Sequence, residues 1–451
     1  MKTGRYWGSG QAAALSVLAL ILLGACSERE AILPGERENV RSVLQTAALA
    51  ALPEEDIIPE NTTRPISLGP PRDNGAWSQS SGTSAQRVSH AAFGRNPQLL
   101  WSANIGQGDS RRLRITADPV VADQRIFTLD AGAQVVATSV AGARLWAKDL
   151  TPQTDAPGQG TGGGLALEGD TLYVSVGYGV LYALEAATGV IKWHQNLEAS
   201  GSGRPTVFGD FVYLVAGDSS AWAVRKSDGR VQWKVAAALD RNNVLGAPAP
   251  ALTDQLAIFG YGSGQIKAVL RRSGVARWGS DVLGRRPGRA LASINDVTGS
   301  PVVDRDRVYA GNQSGRLSAL DLTSAAPIWT AREGAFGAVW PVGGSVFLMT
   351  DLNELVRLDA RNGRRIWGVP LPNFVKERPR RKSEIFTHHG PIVAGGRLIV
   401  ASSDGFLRSF DPRDGTLISA IDIPSGATTA PVVAGGTLYV VSRNGQLHAF
   451  R

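Results

Sequence analysis

Residues 180–193 read VLYALEAATGVIKW. A short apolar run rich in β-formers meets a small-residue turn at Gly189, and a second short run ends on Trp193. Two brief strands joined by a tight turn account for this pattern, with glycine supplying the positive φ that such a turn needs. A helix does not, because the apolar runs are short and are broken by glycine every few residues. The four-residue step from Gly to Trp recurs at Gly142/Trp146, Gly229/Trp233, Gly274/Trp278 and Gly363/Trp367. Trp329 keeps its place although Ala325 stands where glycine is expected. With Trp101 counted first, successive tryptophans lie 38 to 51 residues apart. A period of that length, holding several short strands, is the signature of propeller blades.

Upstream of each Gly-to-Trp step the unit opens on proline followed by apolar residues. Openings fall at Pro119, Pro205, Pro250, Pro301, Pro341, Pro391 and Pro431, and near residue 164 glycines replace the proline, giving eight units. The seventh has Gly415 but Ser419 in place of tryptophan. The eighth stops at Arg451 after three strands. An orphan tryptophan strand, QLLW at 98–101, stands at the other end. The expected fold is therefore all-β: an eight-bladed β-propeller over 98–451, its last blade closed by an N-terminal strand within 98–105. Closure of this kind removes two exposed sheet edges.

Ahead of the repeat, Lys2 and Arg5 precede the apolar run AAALSVLALILL at 12–23. Twelve residues are too few to span a bilayer, which takes about 20, but suit the core of a signal peptide. The following LGAC at 23–26 resembles the lipobox of bacterial lipoproteins. The resemblance implies a signal peptide at 1–25, cleavage before Cys26, and acylation of its thiol, which anchors the protein stably. Cys26 is the only cysteine, so the chain forms no internal disulfide and carries no Cys-rich zinc site or c-type haem motif. Residues 26–97 lack sustained periodicity and are rich in Pro, Glu, Arg, Ser and Asn. They read as a lipid-anchored flexible tether.

Arg, Lys, Asp and Glu balance over the first 97 residues, so the net charge of +8 resides in the repeat. A moderately basic globular part suits acidic partners or an anionic membrane surface. No basic stripe interleaved with aromatics points to nucleic acid. Catalytic and metal signals are equally thin. His388 and His389 read as turn residues, because adjacent strand positions face opposite sides and cannot easily share one ion. The glycines of GTGGG at 160–164 lack the Lys-Ser/Thr of a phosphate loop and read as a connection between blades. The run KERPRRK at 376–382 reads as a solvated loop.

The repeat, in 180–193 and again in LSALD at 317–321, resembles the pyrroloquinoline-quinone-type propeller repeat across 98–451. Two families share it: the quinoprotein alcohol dehydrogenases, and the B subunit (BamB) of the outer-membrane β-barrel assembly machinery. The lipobox, the eight units, GGGLA at 162–166 and LYVSVG at 172–177 favour the assembly-factor family. So does the segment with WSQ at 77–79, Gly82 and His90, which looks like its α-proteobacterial form. The resemblance implies a non-catalytic scaffold at the periplasmic face of the outer membrane, without cofactor or metal. It would dock on the periplasmic domains of the machinery's barrel subunit, with unfolded outer-membrane proteins as further partners. It also implies two docking segments, here DRNNVLG at 240–246 and INDVT at 294–298. Val244 and Asp296 match the family's pattern, while Leu245 and Thr298 depart from it. We expect Val244, Leu245 and Asp296, with Arg285 and Arg289 nearby, to form the docking patch. Both segments are expected on connectors longer than the rest, side by side on one rim. The alternatives are a quinone-dependent dehydrogenase-like propeller and a general envelope scaffold.

Overall fold

The computed structural model describes residues 59–80, 82, 89–201, 203–237, 247–284, 296–376, 378 and 384–451. Within it the compact unit runs from Pro59 to Arg451. Every named element is a strand, and the strands form eight four-stranded antiparallel sheets. The first sheet consists of Val120–Ala122, Arg125–Leu129, Gln134–Ser139 and Arg144–Asp149. Six more follow in chain order over 163–196, 206–236, 251–281, 302–331, 340–370 and 388–422.

The eighth sheet is composite. Val432–Ala434, Thr437–Ser442 and Gln446–Phe450 are completed by the N-terminal strand Leu99–Asn104. Leu99 pairs with Phe450, Trp101 with Ala449 and Asn104 with Gln446. Main-chain bonds between Gln98 and Arg451, at 2.7 and 3.0 Å, extend this pairing of the first and last named strands. The expected eight blades and the expected closing strand are both present.

Blade stacking explains the sequence pattern. A middle strand is covered on both faces by neighbouring blades, so Thr171–Val176 is buried throughout and reads as a continuous run. The outer strand Ile191–Asn196 is covered on one face only and alternates. Between blades the repeated tryptophans act as fasteners. Seven outer-strand indoles each donate a hydrogen bond to a carbonyl in the next blade, at 2.9–3.3 Å, from Trp101 to Val140 through Trp367 to Pro412. The ring lies against the glycine of that blade's last turn. At Gly142, Gly189, Gly229, Gly274, Gly363 and Gly415, φ is +71° to +88° and a Cβ would meet the indole at under 3.0 Å. Ser419 is explained by the same geometry. In the eighth blade the last two strands, Gln446–Phe450 and Leu99–Asn104, come from opposite sides of the repeat and no turn joins them, so there is no glycine turn for a seventh-blade tryptophan to cover.

Over residues 59–97 the structure departs from the expected flexible tether. The described part of this segment is a strap bound to the propeller. Asn61 exchanges two hydrogen bonds with Gly368 on the outer strand of the sixth blade. Arg357, almost wholly buried, donates to the carbonyls of Arg64 and Pro65 and to those of Pro412 and Arg413. Desolvation lowers its pKa to about 10. Further on, the strap crosses the inner strands: Trp77 exchanges main-chain bonds with Val121, Ser78 accepts from Leu167, and the Gln79 side chain pairs with Val207. It then returns along the seventh blade, where Ala91 bonds Val393 and Gly395. The segment lacks a period because most of its main-chain bonds reach blades 44 to 361 residues away, from Trp77–Val121 to Asn74–Gly435, and the bonds that close within it, such as Arg72–His90 and Gln79–Gly82, follow no repeat.

Candidate functional site

The first strand of each blade faces the centre. On the side where blades connect to one another, these strands and the connecting loops enclose a funnel of about 650 Å³. On the opposite side the strap closes the channel. Its Trp77 stacks on Trp340 of the sixth blade, with ring centroids 6.2 Å apart and planes inclined by 20°, and the two indoles form the funnel floor. The Trp340 indole donates to the carbonyl of Ser89, fixing the floor to the returning strap.

The wall combines apolar side chains, among them Ile115, Pro248, Phe336 and Ile385, with a few polar groups. Arg204 and Asp118 form an ion pair at 2.7 Å that spans the third and first blades. Asp118 also accepts from the Ala430 amide of the eighth blade, and Arg204 donates to the Thr116 carbonyl. This pair ties three blades together and leaves no excess charge.

The two histidines do not lie in a turn as expected but open the strand His388–Ala394. Their side chains diverge with the alternation of a strand. His388 bridges the Pro372 carbonyl at 2.8 Å and the Ser402 hydroxyl at 2.7 Å. The carbonyl can only accept, so the His388 Nε2 carries the proton and Nδ1 accepts from Ser402. His389 turns toward the funnel, where burial lowers its pKa to about 4 and keeps the ring neutral at pH 7. Among the described residues, no group of three His, Cys, Asp or Glu side chains is placed to hold a metal ion.

Of the residues expected at a docking patch, Asp296 is buried in the funnel wall. The neighbouring Val297 bonds to Tyr261 and packs on Gly260, and Thr298 donates to the Ala335 carbonyl. Val244, Leu245, Arg285 and Arg289 lie outside the described residues, as do Cys26 and most of 376–382. The described stems of the two candidate connectors touch, with the Ala249 amide donating to the Ser300 hydroxyl at 3.0 Å. The expected lengths need correction. The connector over 282–301 is the longest between blades, but 371–387 and 105–119 both exceed 237–250. Sequence reasoning missed the funnel set, since Tyr261, Gln313 and His389 stand in different blades and share no motif. The one available signal for the floor was Trp77, a large aromatic in an otherwise polar segment.

A ring of eight four-stranded sheets, fastened by Gly-to-Trp steps and hollowed by a loop-rimmed funnel, defines a propeller of the pyrroloquinoline-quinone-repeat class. Within that class, the family model described as outer membrane protein assembly factor BamB matches residues 132–369 and 374–451, and the chain belongs to this family. The assembly factor BamB of Moranella endobia is 28% identical over 342 residues, covering 73% of this chain and 84% of its own. That of Escherichia coli K12 is 24% identical over 336 residues, covering 73% and 82%. Among solved structures, BamB from Moraxella catarrhalis superposes with a TM-score of 0.65 at 18% identity, covering 79% of this chain and all of its own. The quinohemoprotein alcohol dehydrogenase of Comamonas testosteroni reaches 0.62 at 16% identity, covering 83% and 80%. The likeness to these two structures is one of fold.

Proposed function

We propose that this protein is a non-catalytic, lipid-anchored subunit of the outer-membrane β-barrel assembly machinery. It is held at the periplasmic face of the outer membrane through Cys26. Its loop-bearing face docks on the periplasmic domains of the barrel subunit. Family membership over most of the chain carries this reading, through relatives named as outer membrane protein assembly factors. The two faces of the ring support it further: the strap covers one, while the longest connector emerges on the other. Long loops on a rigid scaffold are where proteins place recognition. Val244 and Leu245 would supply a desolvated centre and Arg285 and Arg289 a polar rim, with Asp296 contributing from the adjoining funnel wall.

The decisive experiment is copurification with the barrel subunit from solubilised membranes. Val244→Asp with Leu245→Asp is expected to abolish copurification while leaving the thermal midpoint unchanged. Recovery at the wild-type yield would move the docking site elsewhere, with the basic run at 376–382 the next surface to test. Anchoring is read separately: Cys26→Ala is expected to leave the membrane fraction or to remain unprocessed. A variant of unchanged mature mass that still sediments with membranes would sink the lipobox assignment.

A further inference from the structure

Three polar atoms on the funnel lining are shielded from solvent and meet no hydrogen-bond partner among the described residues: Tyr261 Oη, Gln313 Nε2 and His389 Nε2. They come from the fourth, fifth and seventh blades. Tyr261 is 1% and Gln313 9% exposed. Leaving a buried polar group unpaired costs about 1–3 kcal/mol, so such groups are uncommon in a folded chain. Three around one cavity mark a place where partners arrive from outside. The tyrosine hydroxyl and the glutamine amide both donate, and the neutral imidazole donates or accepts with its tautomer. The funnel's ion pair, Asp118–Arg204, is satisfied internally, and Asp296, the further carboxylate on the lining, is buried and already engaged, so neither calls for an ionic ligand. Much of the remaining wall is apolar.

The fitting occupant has an apolar body and presents uncharged acceptors. A polypeptide segment has both, in its side chains and its main-chain carbonyls. The channel already accepts polypeptide, since the strap's Trp77, Ser78 and Gln79 are bound by inner strands of three successive blades. Because the strap and the Trp77–Trp340 floor close the far side, an occupant enters from the loop face and stops inside. We infer that the funnel is a receptor for the apolar end or loop apex of another polypeptide, bound through Tyr261, Gln313 and His389. This goes beyond docking by the rim loops and does not depend on it.

The test uses the full chain and a fluorescein-labelled octapeptide of alternating phenylalanine and serine, acetylated and amidated at its ends, read by fluorescence anisotropy. Saturable binding in the micromolar range is expected, and Gln313→Leu or His389→Leu should weaken it about tenfold, the loss of one good hydrogen bond. Phe336→Arg, which fills the funnel, should abolish it. Tyr261→Phe and Gln313→Leu should melt at or above the wild-type temperature, because each removes an unpaired polar group, whereas a purely structural residue would lower it. Val244→Asp with Leu245→Asp should bind the peptide normally, which separates this site from the docking patch. No saturation up to about 1 mM, a far weaker affinity than recognition requires, would overturn the proposal. So would equal affinity for wild type and the funnel variants, or saturation of the funnel by maltotriose and not by the peptide.

Discussion

At the residue scale, Ala325 tests how the fasteners work. It occupies the turn position over Trp278 that glycine holds in six other blades, at φ +59°. A left-handed backbone costs a residue with a Cβ about 1–2 kcal/mol, partly offset by the greater unfolded-state freedom of glycine. Ala325→Gly is therefore expected to stabilise the protein by about 0.5–1 kcal/mol in urea unfolding, a rare case in which adding glycine helps. The converse change, Gly363→Ala, would bring a methyl into Trp329 on top of the backbone strain and should destabilise by more than that. These positions were legible in the sequence because a turn that needs positive φ and a flat ring that needs room leave a fixed spacing. The funnel groups were not. Tyr261, Gln313 and His389 meet only because the ring closes, and nothing local to any of them signals it.

At the element scale, the strand Leu99–Asn104 and the strap behave differently in sequence but alike in structure. The strand was legible because it carries the tryptophan that the last blade lacks. Trp101→Ala removes the indole bond to Val140 and the cover over Gly142, and should destabilise by about 3 kcal/mol, the lower end for a large aromatic because this ring is only half-buried. An unchanged denaturation midpoint would show that the ring holds without this fastener. The strap was illegible because its bonds are long-range and leave no period. A chain beginning at Pro59 keeps every described contact. One beginning at Ala91 loses the Asn61–Gly368 pair, the Arg64 and Pro65 carbonyls that Arg357 holds, the Ser89 carbonyl that Trp340 holds, and Trp77, Ser78 and Gln79 with their bonds to Val121, Leu167 and Val207. The shorter chain is expected to melt several degrees lower and to expose Trp340, read as a red-shifted and more quenchable fluorescence. Identical melting of the two chains would return residues 59–90 to the role of a mere tether.

At the scale of the molecule, burial sets the response to acid. His388, His389 and His448 all sit inside the ring, and desolvation lowers the pKa of each below the ordinary 6.5, to about 4 for His389. Asp118, His388 and Arg204 face His389 and partly cancel in their effect. Each folded-state pKa lies below its unfolded value, so the unfolded chain binds the extra protons first. Stability is complete above about pH 6.5 and falls as pH drops toward 4. For His389 alone the loss is about 3 kcal/mol at full protonation. His389→Gln should flatten the fall of the thermal midpoint between pH 6.5 and 4 while leaving the midpoint at pH 8 nearly unchanged. A parallel curve for the variant would place the acid sensitivity elsewhere.

The composite eighth blade also fixes an order of events in time. Leu99–Asn104 emerges from the ribosome before every other described strand, yet its partner Gln446–Phe450 is made only after the seven complete blades between them. Until Phe450 is synthesised, the first strand has no edge to pair with, and the ring stands as an open arc. Such a delay suits the export that the proposed lipid anchor requires, because a domain unable to finish itself during translation stays slack enough to be threaded across a membrane. The same arrangement makes the strand Gln446–Phe450 intolerant of loss: a chain stopped before it would lack the partner of a strand made hundreds of residues earlier, and the whole circle would come undone.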